Sequence, residues 1–379
     1  MTRWLKVLAI VAVLAMLAAA CGDDDDGGEE TGPGGPTTTG TTGPTGETAE
    51  PMPGEDVTVG LVYDIGGRGD LSFNDSAAAG LDQAVSEFGV QTEELEPDEG
   101  GTNRAELLSL LASEGSDLVI GVGFLFAETI CQAGIDFPDV NFGDVDGFID
   151  ENTPNCEGAH NLTAEDNVAS LLFAEEQGSF LVGAAAALKS ETGHVGFIGG
   201  VDIDLIHKFQ AGFEAGAQEI NPDIEIDVTY ISQPPDFSGF NDPARAKEIA
   251  ASMYEGGADV VYHAAGGSGL GMFQAAQEYT ASAGTHVWGI GVDSDQYQTV
   301  PEELQPHVLT SMIKRVDVAV SETIRSQVEG AFEGGYHIFD LSVDGVGYST
   351  TGGFVDDIAD QLEDLKAQII DGSITVPTS

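Results

Sequence analysis

From residue 57 to residue 292 short apolar runs alternate with amphipathic segments, and this alternation leaves one fold class open to the chain. The runs cover 57–63, 118–122, 140–145, 195–198, 224–230, 259–264 and 287–292. Each is too brief for a free helix, and most are β-branched enough for a buried strand. Between them apolar residues recur at helical spacing. Leu107, Leu108, Leu110 and Leu111 face one core, and Phe209, Phe213 and Ala217 follow every fourth residue. Ile249, Met253 and Tyr254 repeat the idea, as do Phe273, Ala276 and Ala283. The stretch 173–188 is almost wholly apolar after Gln177 and reads as a buried helix. Buried strands that alternate with helices imply parallel sheets covered on both faces, an α/β fold.

The alternation restarts after Glu165, with about four βα units on either side, so two lobes of one kind are expected. The expected division is 55–164 with about 293–333 in lobe 1, and 165–292 with about 334–379 in lobe 2. Strands that cross between the lobes would form a hinge. Residues 336–350 read as a strand and hairpin, and 357–370 as a closing helix.

The first unit, 57–88, is the most informative. An apolar strand ends at Asp64. Gly66, Gly67 and Gly69 allow a tight loop, because glycine accepts positive φ at little cost. Ala77, Leu81, Ala84, Val85 and Phe88 then mark one helical face, with Ser72 or Asn74 as its cap. This geometry places polar side chains at the carboxyl edge of a sheet, where open α/β sheets bind their ligands.

The amino terminus carries a signal segment, 1–21. Arg3 and Lys6 precede an apolar run at 7–20 that is too short to span a bilayer comfortably. Leu17-Ala18-Ala19-Ala20-Cys21 looks like a lipobox, with Cys21 as the lipidated residue, although Ala18 stands where leucine is usual. Residues 22–54, rich in Gly, Thr, Pro and acid, form no core and read as a tether of roughly 30 Å. The expected location is the outer face of the cytoplasmic membrane, held there by the lipid alone.

The net charge of −53, from 12 basic and 65 acidic residues, excludes nucleic acid and anionic lipid surfaces as partners. Besides Cys21, the chain has only Cys131 and Cys156, which read as a disulfide in an exported protein. Enzyme signatures fail on spacing. No P-loop is present, and the glycines at 266–271 match neither a dinucleotide loop nor a nucleophile elbow. The histidines are scattered singly, so no metal and no cofactor are expected. Asp144 with Asp146, and Asp293 with Asp295, are the best acid pairs for a hydrolase or a cation, but a chain this acidic shows such pairs by chance.

VYDIGGRGDLSFND, FAEEQGSFLVGAAAAL, GHVGFIGG, FQAGFEAGA, ADVVYHAAGGSGLG, WGIGVDSDQ and LTSMIKRVD, in this order, resemble the basic membrane protein (BMP) family. These are lipid-anchored substrate-binding proteins of ABC transporters, and the resemblance runs from Val57 to the carboxyl terminus. It implies a type I periplasmic-binding fold, an interlobe cleft, a nucleoside ligand, usually a purine one, and an ABC permease as partner. Carried onto matching positions, it implies base contacts from Asp64 and Asn74, stacking by Phe73 and Phe209 from opposite lobes, and an acid at Asp146. Gly266, Asp293 and Lys314 would surround the ribose. Arg68, Asp75 and Asp144 depart from the family pattern and leave the choice of base open. The alternatives are another small polar ligand such as a sugar, or a surface nucleoside hydrolase using Asp146 and Asp293.

Overall fold

The computed structural model describes residues 52–98 and 100–379; the signal segment with Cys21, and most of the expected tether, lie outside them. In chain order the elements are β1 (Thr58–Val62), α1 (Phe73–Phe88), β2 (Gln91–Leu95), α2 (Arg104–Glu114), β3 (Leu118–Val122), α3 (Ala127–Asp136), β4 (Asn141–Val145) and β5 (Val168–Phe173). There follow α4 (Glu175–Lys189), β6 (His194–Val201), α5 (Asp204–Ile220), β7 (Glu225–Ser232), α6 (Pro243–Gly256), β8 (Val260–Ala264), α7 (Gly269–Ala283), β9 (Trp288–Asp293), α8 (Gln296–Thr299) and β10 (Val308–Lys314). The chain closes with α9 (Val316–Val328), β11 (Gly335–Phe339), β12 (Val346–Tyr348) and α10 (Ala359–Ile370). Among the described residues no helix is long and apolar enough to cross a membrane.

The strands form two six-stranded sheets, ordered β11-β5-β4-β3-β1-β2 and β12-β10-β9-β8-β6-β7. All pairings are parallel except β10 with β12. The α/β, two-lobed expectation holds. Central strands β1, β3, β6 and β8 are buried because helices cover both faces. On α1, Ala77, Leu81, Ala84 and Phe88 are buried, but Val85 is 38% exposed and lies at the margin of that face.

Three details differ from the sequence reading. The lobe boundaries shift: β5 belongs to the first sheet, β10 to the second and β11 to the first. The reason for the first shift is that β5 runs through Phe173 with only Ala174 before α4, so no turn marks the crossover and the helix expected at 173–188 begins inside the strand. Residues 336–350 are not a hairpin, since β11 and β12 lie in different sheets. The cap of α1 also differs. Asp70, rather than Ser72 or Asn74, accepts from the backbone N–H groups of Ser72 (2.9 Å), Asn74 (2.9 Å) and Asp75 (3.1 Å).

Three segments cross between the lobes and lie side by side. The Ala174 N–H donates to the Phe339 carbonyl (3.1 Å) and the Arg315 N–H to that of Gly345 (2.9 Å). The rings of Phe173 and Phe339 stack at 5.2 Å beside them. In the second lobe α4 and α5 pack backbone to backbone. A Cβ on Gly183, Gly212 or Gly216 would collide with the carbonyl oxygen of Phe213, Glu176 or Phe180 respectively. Cys131, on α3, is joined to Cys156, in the loop after β4, with their Cα atoms 6.0 Å apart.

Candidate functional site

The carboxyl ends of the two sheets face a common cleft with about 600 Å³ of free space, part of it continuous with solvent. The eight residues singled out for a ligand all line it: Asp64, Phe73, Asn74, Asp146, Phe209, Gly266, Asp293 and Lys314. They arrive there by topology. Asp64 follows β1, Phe73 and Asn74 begin α1, Asp146 follows β4, and Phe209 lies on α5. Gly266 follows β8, while Asp293 and Lys314 end β9 and β10.

Lys314 is the electrostatic centre. It is buried, and its Nζ donates to Asp146 Oδ2 at 2.5 Å and stands 3.4 Å from Glu175 Oε1. The rings of Phe73, Phe173 and Phe209 surround the ammonium, with centroids at 5.0, 4.9 and 5.6 Å. Burial pulls its pKa down, but Asp146, Glu175 and Asp293 outweigh burial and the net direction is up.

The acids behave differently. Burial pushes Asp146 up to about 6 against the pull of Lys314. It pushes Asp293 up to about 7, against Lys314 and a hydrogen bond from Ser72 Oγ at 2.8 Å. Asp146 Oδ1 is buried with no protein donor, which leaves it open to a ligand hydroxyl or amine. Asp144, fully buried behind this turn with neither oxygen partnered, is pushed well up by burial and then by Asp146 and Asp64. Asp146 and Asp293 share a further property. Each closes the fourth strand of its sheet with positive φ, +67° and +63°. Such backbone is uncommon outside glycine and clusters where ligands are held.

Sequence reasoning missed several lining or supporting residues. Arg104 is buried and donates to Asp64 Oδ1 at 2.6 Å, with its guanidinium 5.3 Å from the Phe126 ring. As one of 12 basic residues in an acidic chain, it carried a usable signal. Burial raises the Asp64 pKa, and Arg104 opposes that rise. Glu175 looked like an ordinary first-turn acid. Phe124 and Phe240, from opposite lobes, meet with centroids 6.4 Å apart at the cleft wall. Phe240 ends a single 3-10 turn, Ser238–Phe240, too short to show a periodicity.

The lobes are also tied directly. Besides Ser72 to Asp293, Ser294 Oγ donates to the Ser72 carbonyl (2.8 Å). Gln296 Nε2 (3.1 Å) and Thr299 Oγ1 (3.2 Å) donate to that of Leu71. Leu71 itself has φ +59°, so the loop holds a strained shape to present its carbonyl.

Comparison with known proteins agrees with this architecture. The family described as "ABC transporter substrate-binding protein PnrA-like" matches residues 57–379. The chain is 36% identical over 340 residues to the CD4+ T-cell-stimulating antigen of Listeria monocytogenes, covering 85% of this chain and 88% of that protein. It is 33% identical over 346 residues to the ABC transporter nucleoside-binding protein BmpA of Lactococcus lactis, covering 85% and 90%. Among solved structures, a solute-binding protein of an ABC transporter system from Aeropyrum pernix superposes with a TM-score of 0.71 at 30% identity, covering 85% and 94%.

Proposed function

The chain belongs to the PnrA-like family of ABC transporter substrate-binding proteins, and from that premise we propose that it captures a nucleoside, a purine one by preference, in its interlobe cleft. It does so at the outer face of the membrane, anchored through Cys21 and its tether, and hands the ligand to an ABC permease. One observation carries the choice of ligand. Phe73 from lobe 1 and Phe209 from lobe 2 converge on the buried Lys314, beside two carboxylates poised to accept hydrogen bonds. Aromatic faces suit a flat base, at about 1–3 kcal/mol per stacked base. Carboxylates suit the adjacent hydroxyls of a ribose, because charge-assisted hydrogen bonds are the stronger kind. The name of the Lactococcus relative supports the same reading. A ligand that touches both lobes favours the closed form, and the crossover segments supply the hinge.

Calorimetry with guanosine, inosine, adenosine, cytidine and ribose tests the proposal. Purine nucleosides should bind tightest, and inosine should be recovered intact. Ribose binding above every nucleoside would transfer the site to sugars, and release of free base would make the protein a hydrolase. Phe73→Ala should weaken guanosine or inosine at least tenfold with the far-ultraviolet spectrum unchanged. An unaltered affinity would remove that ring from the site.

A pH dependence follows from the two raised acids. Asp146 and Asp293 lie near 6 and 7 in the folded protein, above the ordinary carboxylate value of 3.8. Their contribution to folding is therefore fully present below about pH 4 and lost as pH rises through 6 and 7. Ligand hydroxyls need the ionised forms, so binding runs the other way. Affinity should climb from pH 5 to pH 8 and then level off, and Asp293→Asn should flatten the upper part of the curve. Affinity that is flat with pH in the unaltered protein would show that neither acid changes charge on binding.

A further inference from the structure

We propose that His194, Glu225 and Asp227 form a site for a divalent cation of the zinc class, at the end of the second sheet remote from the cleft. His194 opens β6, while Glu225 and Asp227 open β7. The parallel register sets His194 beside Glu225 and Gly196 beside Asp227. Side chains alternate along a strand, so all three project from one face of the sheet. Their donor atoms lie within 4.8 Å of one another.

The histidine is the second, independent sign. Only 9% of His194 is exposed, and its Nε2 is buried without a hydrogen-bond partner. Asp227 Oδ2 stands 3.0 Å from that nitrogen, yet out of line for an N–H to reach it. A plain His–Asp pair points the proton at the oxygen. Two ligands of one metal behave otherwise. With metal–ligand bonds of about 2.0–2.2 Å, neighbouring ligand atoms stand about 3 Å apart and each aims its lone pair at the metal. One imidazole with two carboxylates suits zinc, cobalt or manganese, with zinc favoured over manganese by affinity. Glu225 is exposed, which leaves room for water to complete the shell. No motif announces the set, because the strands that unite it lie far apart in sequence. Bound metal would pin β7, the outermost strand of its sheet, to β6.

The test uses the folded protein stripped of metal by chelation and dialysis. Zinc is titrated by calorimetry, and cobalt(II) serves as a spectroscopic substitute. The expected result is one saturable equivalent, a visible cobalt band and a zinc-dependent rise in melting temperature. Asp227→Asn and Glu225→Gln, at accessible positions, should weaken that equivalent at least tenfold and leave nucleoside binding unchanged. His194→Gln should remove it. Weak binding to the acidic surface would persist equally in all variants. The proposal is overturned if the unaltered protein shows no saturable equivalent, or if Asp227→Asn and Glu225→Gln bind zinc as it does.

Discussion

Lys314→Met should cost about 3–5 kcal/mol of folding stability and abolish ligand capture. The side chain is buried among Asp146, Glu175 and Asp293; Glu175 also accepts from Lys208 Nζ at 3.2 Å, so Asp146 and Asp293 depend on Lys314 most. Methionine fills similar space, so packing changes little and the effect is electrostatic. Without the ammonium, Asp146 and Asp293 must either stay ionised in a poorly solvated site or take up protons, while Glu175 keeps Lys208. Protonation is easy at pH 5 and costly at pH 8, so the loss should be larger at pH 8. Urea denaturation at both values, followed by circular dichroism, measures it. An unfolding free energy within about 1 kcal/mol of that of the unaltered protein at pH 8 would mean that water reaches these acids and that Lys314 is not their keystone.

Gly216→Val should be nearly as severe, with a loss of about 3 kcal/mol or more, although residue 216 does not line the cleft. A Cβ there meets the Phe180 carbonyl oxygen, which belongs to a helix backbone and cannot step aside as a side chain could. The helices α4 and α5 would have to part. Phe209 rides on α5 and Glu175 opens α4, so their separation would also shift one wall of the cleft and weaken ligand binding. Gly256→Ala, at a helical position with open space around it, is the matched control and should leave stability unchanged or slightly raised. Equal melting temperatures for Gly216→Val and the control would show that the helices tolerate a wider spacing.

The fold class was legible because each buried strand is a short apolar run bounded by turn residues, and the helices between keep their spacing. Legibility failed where that punctuation is missing. Only Ala174 separates β5 from α4, so no turn residue marks where the strand ends and the helix begins. β11 and β12 are adjacent in sequence and looked paired, but pairing is decided by a crossover that no local pattern encodes. The cleft was legible through its resemblance to a family and through its position at strand ends. Glu175 was not, because it looks like an ordinary residue opening a helix until the fold buries it against an opposite charge, and Arg104 was marked only by its rarity as a cation. Asp70 likewise reads as a loop acid until its carboxylate gathers three backbone N–H groups.

The bonds that Leu71 and Ser72 make to the segment after β9 bear on how such a receptor lets go. They join protein atoms only, so they help the jaws shut whatever is held. Shutting then asks less of the cargo, and the apparent affinity rises. Escape pays the opposite toll, since every departure must first break the same contacts. A transporter that grips both halves and pries at this loop would therefore unload its cargo faster than spontaneous opening could.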